Sequence, residues 1–290
     1  MKREGSKVLY GLLLVALTVM ALATLYPFIY VISMSISSAD AVLNREVLLF
    51  PVGFSLESYK MVFENPDIWR AYGNTIFYTA AGTAINLLLT LTCAYSASRK
   101  DFVLRKPLMV FITITMVFNG GMIPTFVLIT RLKLYNTIWA ILLPGAVSAW
   151  NLIIARNFFS TTIPQSVIES ARIDGAGELT VFLKIVLPLS RAIIAVLGLF
   201  YAVGHWNMWF KAMLYVPDQT LHPLQLFLRR ILLLDSPEML AGVDDAFQRV
   251  AYAMQLKYAV IVVATLPILC VYPFLIKYFN KGIMLGAIKE

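Results

Sequence analysis

Six stretches of the chain stay apolar long enough to cross about 30 Å of hydrocarbon at about 1.5 Å of rise per helical residue. They cover roughly residues 8–34, 72–97, 107–129, 137–159, 185–214 and 258–279. None alternates apolar and polar positions as a barrel strand does. Backbone amides in lipid must bond within their own segment, so helices are the expected spanning element. The pattern predicts an all-α polytopic membrane protein of about six transmembrane helices, forming one membrane domain over residues 1–290. Polar outer segments are expected at about 37–71 and 215–257, the second broken by Pro217, Pro223 and Pro237.

Several windows are interrupted: the third by Gly120-Gly121 and Pro124, the fourth by Pro144-Gly145, the sixth by Pro267 and Pro273. Such breaks free backbone groups that need neighbouring helices or water. They fit packing kinks singly, and together a bundle that flexes around a polar path. The first window resembles a signal peptide at its start, with Lys2, Arg3 and Lys7 ahead of Ala21-Leu22-Ala23. Its apolar run continues to Ile32, however, which predicts a retained membrane helix.

Composition supports this reading. Hydrophobic residues make up 60% of the chain and charged residues 14%, against roughly a quarter charged in soluble domains. Mean hydropathy is +0.78. The net charge of +8 comes from cations scattered between apolar runs, not from a basic stripe, so no nucleic-acid partner is expected. If both termini are cytoplasmic, that face holds 14 Lys and Arg against 6 Asp and Glu, and the other holds 10 of each. The bias in the short loops places both termini inside. Cys93 and Cys270 are far apart, and with His205 and His222 they make no credible metal site or disulfide. No Lys, Arg or carboxylate falls deep within a span, which argues against an ion-coupled carrier. A GxxxxGK[ST] phosphate loop is absent, as are HExxH and other enzyme signatures.

A polar stretch of about residues 164–180 separates the fourth and fifth windows. Pro164 suits the first turn of a short helix, Thr161 or Thr162 its cap, and Gly175 and Gly177 its end. Val167, Ile168 and Ala171 form an apolar side, while Glu169 and Arg172 project. Such a helix suits docking into a groove of a partner. Glu169-Ser170-Ala171, three residues, Gly175, nine residues and Ile185-Val186-Leu187-Pro188 resemble the EAA pattern of ABC importer permeases, with Ser170 replacing the first alanine. Gly204-His205-Trp206-Asn207-Met208-Trp209-Phe210 is similar to the W-N segment of maltose-type sugar permeases, and the whole plan resembles their smaller subunit.

The resemblance implies the ABC type I importer permease fold with a cytoplasmic coupling helix, in the cytoplasmic membrane of a prokaryote. It implies a second homologous permease, two ATPase subunits and an extracytoplasmic solute-binding protein as partners, besides membrane lipid. This chain would bind no cofactor and do no enzymology; ATP and Mg would belong to the ATPases. Glu169 would pair with a basic residue of an ATPase, and Ala171 and Gly175 would allow close backbone approach. Arg172 and Asp174 fit either a rim contact or an internal pair. The tail, Asn280 to Glu290, fits either an ATPase contact or a frayed end.

Carbohydrate is recognised by aromatic faces and by amides or hydroxyls, and the fifth window offers Tyr201, Trp206, Asn207, Trp209 and Phe210. Trp206 and Asn207 fit a cargo path. They also fit an interfacial aromatic belt and an interhelical bond; Asn151 has the same ambiguity, and Asn86 and Asn119 are weaker candidates. His205 fits a packing role or a pH-sensitive contact. Lys211, Arg229 and Arg230 fit a solvated outer surface or attraction of an acidic sugar. The expected function is import of an oligosaccharide by ATP-driven alternating access, with a non-sugar importer cargo, or an ion-coupled carrier or channel, as the alternatives.

Overall fold

The computed structural model describes the backbone of residues 2–233 and 246–287, and their side chains except at 2–6, 8, 246, 247 and 271–287. Pro237 and the last residues of the Asn280–Glu290 tail lie outside the described residues. The described residues are mostly helical, with no strand among them. Contacts divide the chain into two compact units, residues 1–69 with 227–268, and residues 70–226 with 269–290.

In the first unit, α1 (Lys2–Ser35) is one unbroken helix through Pro27. From Leu9 to Ile32 no described side chain of it is buried within the chain. Burial begins where the sequence turns to Ser-Met-Ser-Ile-Ser-Ser. Met34, Ala41, Val42 and Val47 form a small core, and α2 (Ala39–Leu43) sits within it, capped by Ser38. The serines satisfy the chain as it leaves the helix: Ser33 Oγ donates to the Leu49 carbonyl at 2.6 Å, and Ser37 Oγ accepts from Val52 N at 3.1 Å. Gln255 of α15 (Ala246–Ala287) donates to the Ser37 carbonyl, while Tyr258 meets Tyr30 edge-on at 6.1 Å. Ahead of α4 (Pro66–Ser98), α3 (Glu57–Glu64) ends at Asn65, whose side chain accepts from Asp67 N at 2.8 Å. The 37–71 segment is thus tied down by its own hydroxyl and amide groups.

In the second unit the third, fourth and fifth windows are each broken. The third window is two helices, α5 (Arg105–Val117) and α6 (Met122–Arg131). Gly121 between them adopts φ +85°, open to glycine. The fourth window is a short α7 (Trp139–Leu142) and α8 (Ala149–Thr162), parted by Pro144 and by Gly145 at φ +76°. Lys211 Nζ donates to the freed Pro144 carbonyl at 2.7 Å.

After α9 (Gln165–Ile173) come α10 (Glu178–Val181), a π turn over Phe182–Val186 and α11 (Leu187–Leu189). The π turn has a cause: Pro188 lacks an N–H and its ring crowds the carbonyl four residues back, so the helix widens there. Past Ser190, α12 (Arg191–Trp206) departs at a bend of 83°. The fifth window is therefore a broken pair and not one rod. By contrast α15 runs on through Pro267 and Pro273, so the interruption expected of the sixth window is corrected; neighbouring groups in a bundle re-satisfy what a proline frees.

Among the described residues, three helices are long and apolar enough to cross a membrane, or four where the bent pair counts as one span. The 215–226 part of the second segment expected to lie outside is a strap. It holds the end of α13 (Phe210–Tyr215), a 3-10 turn at Gln219–Leu221 and the start of α14 (Leu224–Leu233). Three polar groups of α4 hold it: Asn74 donates to the Thr220 carbonyl at 2.7 Å, Tyr78 to that of Leu221 at 2.9 Å, and Thr75 accepts from Leu224 N at 2.7 Å.

Candidate functional site

The 164–180 stretch forms the short helix its pattern predicts, ending at Gly175 as expected, but with a different cap at its start and a different face. Thr161 does not cap it, because its hydroxyl bonds back to the Asn157 carbonyl at 2.9 Å and closes α8 instead. Pro164 stands at the capping position, without a side-chain bond to the helix. At the far end Asp174 is the C-terminal cap, and Gly175 takes φ +83°. Gly175 N then reaches the Arg172 carbonyl at 3.0 Å and Ala176 N that of Ala171 at 2.9 Å. This is the Schellman arrangement, in which a left-handed residue lets the chain double back over orphan carbonyls. It fixes the interval between Ala171 and Gly175 by backbone geometry.

Of the expected apolar face, Ile168 is 3% exposed and joins the main core with Ala171 packed beside it. Val167 is 38% exposed and faces away. Glu169, Ser170, Ile173 and Asp174 share the exposed side, and among the described residues Glu169 Oε1 accepts a local bond from Gln165 at 3.1 Å. Ile173 is 86% exposed, a large apolar side chain left uncovered by its own chain.

Arg172 turns out to be an internal tie. Its guanidinium donates to Asp101 Oδ2 at 2.7 Å and through Nε to Glu178 Oε1 at 2.8 Å. Tyr95 donates to the other Glu178 oxygen at 3.0 Å, and the buried Arg99 donates to Gln165 at 3.1 Å. The helix is thus clamped to α4, to the 99–104 turn and to α10. The Arg172 hydrogen bond holds the Asp101 carboxyl below the usual carboxylate range. Asp101 and then Glu178 raise the guanidinium in turn. Arg99, Asp101 and Gln165 carry no local signal of this role, since the fold alone brings residues about 70 positions apart together.

A cavity of about 300 Å³ lies between α4, the Pro144 break, α12 and α13. Tyr201, Asn207 and Trp209 line it, as do Asn86, His205, Phe210 and Lys211. Tyr201 is largely spent on structure: its hydroxyl pairs with Thr90 at 2.6 Å and accepts from Ser148 N at 3.3 Å. Asn207 ends α12, with Nδ2 donating to the Val203 carbonyl at 3.0 Å. Trp206 is outside the lining, and its indole N–H is buried without an acceptor in the described chain. Asn151 is also outside it, buried on α8 at 7% exposure. His205 is a packing residue, 3.2 Å from Asn86 Nδ2 and so close to Gly82 that only a glycine fits there. Lys211, which fitted either a solvated outer surface or attraction of an acidic sugar, is half-buried in the lining.

Residues 87–285 match the family model described as the binding-protein-dependent transport system inner membrane component. The polygalacturonan/rhamnogalacturonan transport system permease protein YtcP of Bacillus subtilis is 43% identical over 97% of this chain and 96% of its own length. Protein LplC of the same organism is 43% identical over 92% and 90%. A chain in the crystal structure of a bacterial ABC transporter involved in import of the acidic polysaccharide alginate superposes with a TM-score of 0.89. It is 36% identical, over 95% of this chain and 98% of that one.

Proposed function

Because the chain belongs to the family of binding-protein-dependent transport system inner membrane components, a family of membrane permease subunits, we propose that it carries an oligosaccharide inward as half of an ABC importer's membrane pore. The other half is a second permease, two ATPase subunits supply the energy from ATP and Mg, and an extracytoplasmic binding protein delivers the cargo. The six apolar windows cross the membrane with both termini cytoplasmic, the broken third, fourth and fifth windows counting as one crossing each.

The observation that carries this reading is the two-sided character of α9. One side is anchored to the bundle by Ile168, Ala171 and Arg172. The other leaves Val167, Glu169, Ser170 and Ile173 uncovered. A helix clamped on one face and bare on the other transmits a push as a lever, because the clamp moves with the helices it joins. When the ATPases close on ATP, α9 shifts with them and the bundle passes between inward- and outward-facing states. Glu169 supplies the polar contact and Ile173 the apolar anchor, in the helix-in-groove mode. The sugar cargo draws on the names of the relatives and on the aromatic and amide groups in the cavity wall.

The test is Glu169→Lys in the whole importer reconstituted in vesicles. Uptake should fall at least tenfold and ATPase subunits should co-purify in lower yield, while the permease still inserts. Full uptake with the lysine in place, or a permease that transports without any ATPase, refutes the reading.

A further inference from the structure

We infer that Lys211 selects for acidic oligosaccharides, its ammonium group meeting a sugar carboxylate inside the cavity formed with Asn207 and Trp209; this rests on the sugar reading above. Among the described lining residues Lys211 is the cation and none carries a carboxylate. No described carboxylate pairs with it elsewhere, its one bond being to the Pro144 carbonyl. A half-buried ammonium without a counter-ion is costly to maintain. For recognising neutral sugar hydroxyls, an amide or hydroxyl side chain serves as well without that cost. A positive charge in this position becomes favourable once the cargo brings a negative one.

The geometry prepares the group for that role. An ammonium has three N–H donors, and the 2.7 Å bond to Pro144 holds one of them. Two remain for a carboxylate, while the bond fixes where the charge sits. The turn beside it takes glycine for its φ of +76°, and a Cβ there would stand in ordinary contact with Nζ at 3.5 Å. Around it are the usual elements of a saccharide site. Trp209 and Phe210 offer ring faces at 5.4 Å from each other and nearly perpendicular. Asn207 has its Nδ2 committed to Val203, which leaves its Oδ1 to accept a sugar hydroxyl.

The discriminating experiment uses the complete importer with its binding protein in vesicles, and reads cargo-stimulated ATP hydrolysis. The probes are galacturonate and mannuronate oligosaccharides of about two to four sugars, each beside its methyl ester, which keeps the backbone and removes the charge. The wild type should prefer one acid series over its ester. Lys211→Gln should lower that acid-to-ester ratio about ten- to a hundredfold, the range of one hydrogen bond to a charged group. Lys211→Arg should restore most of it. Because the readout is a ratio within each variant, a general loss of folded protein cancels. If Lys211→Gln reduces acid and ester by the same factor, or leaves the ratio unchanged, the lysine merely holds the Pro144 turn and the inference fails. Stimulation by esters or neutral oligosaccharides alone also refutes it while leaving the sugar reading intact. If no saccharide stimulates a complex that still hydrolyses ATP, both fall.

Discussion

Gly175 offers a separation between two explanations of one residue. It could matter because its backbone turns left-handed, or because its lack of a side chain lets another protein approach. Its φ is +83°, and nothing in the described chain lies within 4 Å of where a Cβ would stand. Gly175→Ala therefore meets no clash within the subunit, and the cost is conformational: about 1–2 kcal/mol for an L side chain in that region. About 0.4–1 kcal/mol is offset by the smaller entropy of the unfolded alanine chain. The net loss is about 1 kcal/mol, which raises the open population of the helix end roughly fivefold. Hydrogen exchange reads this directly at the amides of Asp174, Gly175 and Ala176, which bond to the carbonyls of Ser170, Arg172 and Ala171. Gly177→Ala is the control, since Gly177 has an ordinary φ of −70° and equally open surroundings. It should leave exchange unchanged or slow it. Gly175→Asn decides the matter, because asparagine tolerates the left-handed region yet is larger than alanine. Backbone conformation predicts that Asn is milder than Ala in both exchange and uptake. If Asn impairs uptake more than Ala while protecting the amides better, close approach by a partner is what the glycine serves, and the conformational reasoning is wrong.

Two further outcomes follow from the contacts. A Cβ on Gly82 would fall 2.3 Å from His205 Nε2, so Gly82→Ala should destabilise the detergent-solubilised protein by about 1–3 kcal/mol. His205→Ala in the same chain should recover part of that loss in a thermal melt, and equal losses in single and double variants would refute the contact. Asp101 has a lowered carboxyl value because Arg172 holds its ionised form. Its contribution is therefore present above the ordinary 3.8 and is lost as pH falls through the lowered value. Asp101→Asn should speed exchange of the α9 amides at neutral pH by only a small factor, because water screens so exposed a pair. The gap from wild type should close as the buffer is acidified below that value; a gap that persists or widens in acid contradicts the assignment.

Much of this protein was legible in the chain because lipid imposes a local rule. A run such as Leu9–Ser35 must bond its own backbone wherever it sits, so its helix follows from length and apolarity alone. The turn at Gly175 was legible for a similar reason: ending a helix over four residues is a local event. The kinks were partly legible, in that Gly121 and Gly145 mark real breaks. Pro267 shows the limit, since whether a proline ends a helix depends on what its neighbours can offer the freed carbonyl.

Facing direction was decided only by tertiary structure. Composition at α9 could not tell that Arg172 folds back while Val167 turns out, because Asp101 is contributed by a loop some 70 residues earlier. Nor could the order of residues near Trp206 distinguish cavity wall from packing. The fold brings the Pro144 carbonyl and Lys211 together across 67 positions, and it leaves Trp206 outside the lining. Apolar periodicity fixes which segments become helices, since that is an energy of each segment with its solvent. Which polar groups meet is an energy between segments, and no single stretch of sequence contains it.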